Sequence, residues 1–159
     1  MNKQVKCFKG GKKGFTLIEL IVVIAIIALL SALAVVALSN IREKGRDTKR
    51  LSDMDALELA LENVKVDTGN YAEDLGCVVG DTVFQCRGGE LENQLVVIES
   101  IKDPSAIEVC DENSEFVCQY SFSKLEADDY EVLFFLEKGI GSYENSGLYK
   151  LTPQGVSPR

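Results

Sequence analysis

Leu20 to Leu38 reads LIVVIAIIALLSALAVVAL, nineteen residues in which Ser31 is the only polar side chain. As a helix rising about 1.5 Å per residue, this run just spans the hydrocarbon core of a bilayer, and extension back to Phe15 adds margin. Lys3, Lys6, Lys9, Lys12 and Lys13 precede it with no acid among them. That asymmetry keeps the N-terminal end in the cytoplasm and puts everything after about Asn40 outside. A basic head before an apolar run reads as a targeting region, not as a nucleic-acid patch. Residues 15–159 carry 12 basic and 25 acidic side chains, a net of 12 − 25 = −13. An acidic body of that kind repels DNA and anionic headgroups, so no nucleic-acid partner is expected.

The plain alternative is a secretory signal peptide, for which Ala32-Leu33-Ala34 offers a cleavage site ahead of Val35. Two features oppose it. The apolar run continues through Leu38, and Glu19 sits inside the segment, where a carboxylate costs roughly 2.5–3.5 kcal/mol at a bilayer centre and less near its edge. Export alone gives no reason to carry that charge.

Immediately before the run stands Lys12-Lys13-Gly14-Phe15-Thr16-Leu17-Ile18-Glu19. A short basic leader ending in glycine, then phenylalanine, then glutamate as the fifth residue after the glycine, resembles the prepilin leader of type IV pilins and type II secretion pseudopilins. The close resemblance covers about residues 12–70. It implies that a membrane prepilin peptidase cuts between Gly14 and Phe15 and methylates the new Phe15 amine. It also implies that the mature chain polymerises through its N-terminal helix, with Glu19 pairing with a neighbouring subunit's Phe15 amine. The physics of the residues agrees. Gly14 carries no Cβ to clash in a protease cleft, and an isolated carboxylate in an apolar filament core needs a cation. A local reading stands beside this one: Thr16-Leu17-Ile18-Glu19 fits a capping box at the helix start. Val36 stands where many relatives have proline, so nothing local forces a kink there.

The helix is expected to continue past the membrane. Leu51, Met54, Leu57, Leu61 and Val64 are spaced 3, 3, 4 and 3, which is amphipathic helical spacing. Asp67-Thr68-Gly69-Asn70 supplies the stop, with Gly69 as the terminator. A helix from Phe15 to about Val66 is roughly 78 Å long, more than one small domain can bury. The cluster Arg42, Lys44, Arg46, Lys49 and Arg50 reads as a solvated stripe facing acids on neighbouring subunits, with lipid headgroups or DNA as weaker alternatives.

Beyond the helix, 72–105 reads as loop with a short helix over about Leu91–Ile101. Phe116, Cys118, Tyr120 and Phe122 alternate as in a strand, YEVLFFLE (130–137) suits a central strand, and Leu148–Thr152 makes a further one. The expected fold class is α+β and pilin-like: a long N-terminal transmembrane helix packed through Leu57, Leu61 and Val64 on an antiparallel meander of three or four strands. The expected organisation is a removed leader (1–14), a transmembrane and filament-core helix (15–41), an amphipathic stalk helix (42–66) and an outer domain (67–159).

Cys77, Cys86, Cys110 and Cys118 follow the apolar run, an even number suited to disulfides in an oxidising compartment. Unpaired core cysteines and a metal site are the alternatives. Val79-Gly80-Asp81 and Asp111-Glu112-Asn113-Ser114 place turns inside the two short intervals, which favours Cys77–Cys86 and Cys110–Cys118 over the crossed pairings. The sequence has no histidine, no G-x-S-x-G and no phosphate-cradling glycine loop. No catalytic residue, cofactor or metal is therefore expected, although Asp111-Glu112 and Asp128-Asp129 are acid pairs of the kind that ligate calcium in some loops. The function read from all this is a structural subunit of a type IV pilus or of a secretion or competence pseudopilus. Its partners are other copies of itself, the prepilin peptidase, the bilayer before assembly and the assembly platform. It sits first as a single-pass protein of the cytoplasmic membrane and then in a filament in the periplasm or at the cell surface. The alternatives are a minor tip pilin that binds a target, and an anchored extracellular domain that never polymerises.

Overall fold

The computed structural model describes residues 14–95 and 97–159. All of the leader except Gly14 lies outside that range, Cys7 included. The chain divides into two compact units between Ser39 and Asn40. One helix, α1 (Leu17–Thr68), supplies the whole of the first unit's regular structure and the opening of the second.

In the first unit every described side chain is exposed, and the apolar stretch has a mean hydropathy of 3.2 with none of it buried. By length and composition this all-round apolar helix is able to cross a membrane. Val36 is helical, as the absence of proline allows.

In the second unit α1 becomes amphipathic. Met54, Leu57, Leu61 and Val64 are fully buried, each contributing about 1.5–3 kcal/mol of transfer free energy relative to exposure. Gly69 ends the helix with φ 87°, donating its N–H to the Lys65 carbonyl at 2.9 Å. A left-handed residue closing an orphan carbonyl in this way is glycine's usual terminal role. The helix thus runs two residues beyond Val66.

The sheet is a four-stranded antiparallel meander in the order β1 (Ser121–Leu125), β2 (Tyr130–Leu136), β3 (Gly147–Thr152), β4 (Gly155–Pro158). This is the α+β, pilin-like arrangement of a long helix on a small antiparallel sheet. The apolar continuity of β2 has a direct cause. Tyr130, Val132, Phe134 and Leu136 pack on the helix side with Met54, Leu57, Leu61 and Val64. Leu133 and Phe135 pack on the opposite face with Cys110, Cys118, Val117 and Leu148. Both faces of β2 are covered, so the strand loses the polar alternation of a half-solvated one.

Two sequence expectations need correction. The helix over Leu91–Ile101 is only α2 (Glu90–Gln94), followed by a separate 3-10 turn at Ile98–Ser100. Leu95 is extended, and the interruption lets both Leu91 and Ile98 reach the core. The strand read from Phe116 begins only at Ser121. Residues 108–120 instead form a loop in which the Cys110 N–H donates to the Gln119 carbonyl and the Gln119 N–H to the Glu108 carbonyl, at 2.9 and 2.6 Å. The Gln119 side chain accepts from the Asp103 N–H and donates to the Ala106 carbonyl. These bonds occupy the backbone that would otherwise extend β1.

Disulfides join Cys77 to Cys86 and Cys110 to Cys118, each with a Cα separation of 4.8 Å. In the first loop Gly80 takes φ 93° and the Asp81 carboxylate accepts from the Val78 N–H.

Candidate processing and assembly site

Gly14 and Phe15 stand outside the helix, with open space where a Gly14 side chain would begin. Phe15 is 87% exposed, so the peptide between them is accessible to a protease. One residue further, Thr16 and Glu19 form a reciprocal pair. The Thr16 N–H and hydroxyl both donate to Glu19 Oε2, at 2.8 and 2.7 Å. The Glu19 N–H in turn donates to Thr16 Oγ1 at 3.3 Å. This is a capping box, and it satisfies backbone donors that a helix start leaves orphaned. Both Thr16 bonds converge on one carboxylate oxygen. Among the described residues, Oε1 accepts no hydrogen bond.

The chain's densest charge cluster lies elsewhere, at the start of the second unit. Arg50 is fully buried. Its Nε donates to Asp103 Oδ2 at 2.5 Å, and Nη1 to Asp47 Oδ1 and Glu137 Oε1 at 2.7 and 2.6 Å. Its Nη2 donates to Asp103 Oδ1 at 3.1 Å and to Ser105 Oγ at 2.9 Å. Asp47 also accepts the N–H groups of Glu137, Lys138 and Gly139 where β2 ends. Arg46 clamps Glu137 with two bonds, at 2.7 and 2.5 Å. One guanidinium therefore ties α1, the 103–105 loop and the end of β2 together. Burial pushes the Arg50 guanidinium down, but the bonds to Asp103, Glu137 and Asp47 outweigh it and leave it raised.

The reading of Arg42–Arg50 as a solvated stripe is thus wrong for Arg46 and Arg50, whose partners are in their own chain. Lys49 likewise pairs with Asp53 at 2.6 Å. The acid pairs are also engaged locally. Asp128 meets Lys65, Asp129 meets Lys124, Glu112 meets Arg159, and Asp111 accepts the Asn113 N–H. Among the described residues, no group of three or more acidic or cysteine side chains is placed to hold a metal ion.

Acid should loosen the second unit. Hydrogen bonds from Arg46, opposed by burial and reinforced by Arg50, hold the Glu137 carboxyl below its ordinary 4.5. A lowered folded pKa contributes stability above the unfolded value that is lost as pH falls through the folded one. Burial raises Asp53 above 3.8, which acts in the opposite sense and only between those two values. The urea midpoint should therefore be flat from about pH 6 to 8 and fall below about pH 4.5, with a shallower fall in Glu137→Gln. Equal midpoints at pH 3 and pH 7 would contradict this.

Residues 9–35 match the prokaryotic N-terminal methylation motif. Neither a curated protein nor a solved structure matches the chain. The motif, together with the long apolar helix on which it ends, supports the type IV pilin and pseudopilin family and a membrane-anchored precursor handled by prepilin peptidase.

Proposed function

We propose that this chain of the type IV pilin and pseudopilin family is a structural filament subunit, cut between Gly14 and Phe15, N-methylated on Phe15 and polymerised through the first half of α1. The single observation that carries the reading is the junction of an accessible Gly14–Phe15 peptide with a wholly exposed apolar helix. Such a helix is stable in a bilayer as precursor and among copies of itself as polymer, and in no aqueous monomer. Residues 1–14 then serve as leader, 15–41 as membrane and filament-core helix, 42–66 as stalk and 67–159 as the outer domain. The outer domain is exported, and bridges at Cys77–Cys86 and Cys110–Cys118 suit an oxidising compartment. Glu19 acts in assembly, its carboxylate meeting a neighbour's Phe15 amine.

Mass spectrometry of filaments sheared from cells tests the proposal. The expected subunit begins at an N-methylated Phe15 and is abundant. A terminus at Val35, or complete absence of the chain from sheared filaments, overturns it.

A further inference from the structure

We propose that the second unit carries its own subunit-to-subunit contact, in which Phe116 of one copy seats in a notch at Gly45 of the next. The inference rests on the filament reading above and adds to it a specific pair of outer surfaces.

The knob is built on the loop closed by Cys110–Cys118. Phe116 is 79% exposed and stands between two hollows, one lined in part by Glu108, Val109 and Asp111, the other by Glu43, Phe135 and Lys138. Glu115 beside it is exposed and forms no ion pair among the described residues. The disulfide and the Asp111 bonds to Asn113 and Ser114 hold the loop in one shape, so little ordering is left to be done on contact.

The notch is on α1. Gly45 is exposed in mid-helix, with open space where a side chain would begin. Glycine weakens a helix at such a position, and its advantage is that another group can approach the backbone closely. Helical geometry surrounds Gly45 with Ile41 and Arg42 one turn before and Thr48 and Lys49 one turn after. Ile41 is 66% exposed. Arg42 is exposed and, unlike Arg46, Lys49 and Arg50, forms no ion pair among the described residues. A notch rimmed by exposed Ile41 and the unpaired cation Arg42 complements an aromatic knob flanked by a free carboxylate. Opposite charge at the rim selects register and partner more than it adds affinity. The two surfaces are different patches of one chain. Such a heterologous contact does not close on itself unless the rotation allows, and it generates an open helical polymer.

Full-length variants, scored as sheared filament against membrane-held chain, test the contact. Phe116→Ala and Gly45→Leu should each lower filament yield at least tenfold, with cleavage before Phe15 unchanged. Gly45→Leu should do so while raising the thermal midpoint, because leucine is the better helix former; a purely structural glycine would not separate the two readouts. Arg42→Glu and Glu115→Arg should each lower yield, and the double swap should restore it. Wild-type yield in both Phe116→Ala and Gly45→Leu, or single charge reversals that the swap fails to rescue, overturns the contact alone. A wild-type chain that enters no filament removes the polymer and the contact with it.

Discussion

Arg50→Met should cost the second unit about 3–5 kcal/mol, enough to unfold most domains of this size at physiological temperature. The substitution keeps the aliphatic volume but removes the only cation among the described residues that reaches Asp47 and Asp103, both of whose side chains are fully buried. Two carboxylates then stay out of water with no cation, held only by the Glu137, Lys138 and Gly139 N–H groups at Asp47 and by Ser105 and Ala106 at Asp103, and Glu137 keeps Arg46 alone. Arg50→Lys should rescue little. A lysine ammonium is a point charge on a flexible stem, whereas the guanidinium makes five bonds in a plane to four different side chains. The breakage cost is not a measure of what the cluster adds to stability. Replacing the whole group with matched apolar side chains is often neutral or better, because desolvation offsets most of the Coulombic gain. Urea melts of the full chain in detergent, followed by tyrosine fluorescence, give the number. A loss under about 1 kcal/mol for Arg50→Met would mean that the carboxylates take up protons or water at little cost.

That cluster is also what sequence reasoning misread, and the reason is physical. Arg42, Lys44, Arg46, Lys49 and Arg50 follow a membrane span at helical spacing, which resembles a solvated face. The side chains that bury Arg50 lie 53 and 87 residues further on, and contacts at such separation leave no periodic trace. Only Asp47, three residues before Arg50, gave a local signal. Asp103 stands before Pro104 at the end of a stretch that reads as loop. Its carboxylate in fact accepts from the Ser105 and Ala106 N–H groups as well as from Arg50. By contrast, α1, its apolar half and the central strand were legible because each depends on side chains nearby in sequence: the unbroken run, the 3-4 spacing of Met54 to Val64, and the double-sided apolarity of 130–136. The capping box was legible for the same reason, since its partners are three residues apart. The start of β1 was not, because a side-chain amide at Gln119 and a loop at 103–110 claim the backbone before it.

Glu19→Ala should abolish filament assembly while leaving cleavage and membrane insertion nearly intact. In the membrane-held monomer the substitution removes a charge from the apolar segment, which favours insertion. It also removes the capping box, worth about 0.5–2 kcal/mol and felt mainly as fraying of the first turn. In the polymer it removes the one carboxylate of the helix core. On the proposed pairing, a neighbour's Phe15 ammonium would then sit among apolar side chains without a counter-ion, and breaking such a pair costs about 3–5 kcal/mol, at least a hundredfold in each subunit addition. Capping and pairing are compatible in one side chain, because both Thr16 bonds go to Oε2. Glu19→Gln separates them. Glutamine serves in a capping box as glutamate does, so the helix start is kept while the charge is lost. If the charge sets the register between subunits, Glu19→Gln should fail to assemble as completely as Glu19→Ala, with Phe15 still released as the N-terminus in both. If Glu19→Gln makes filaments at the wild-type rate, the glutamate acts as a cap alone, and the neighbour's amine finds its partner elsewhere.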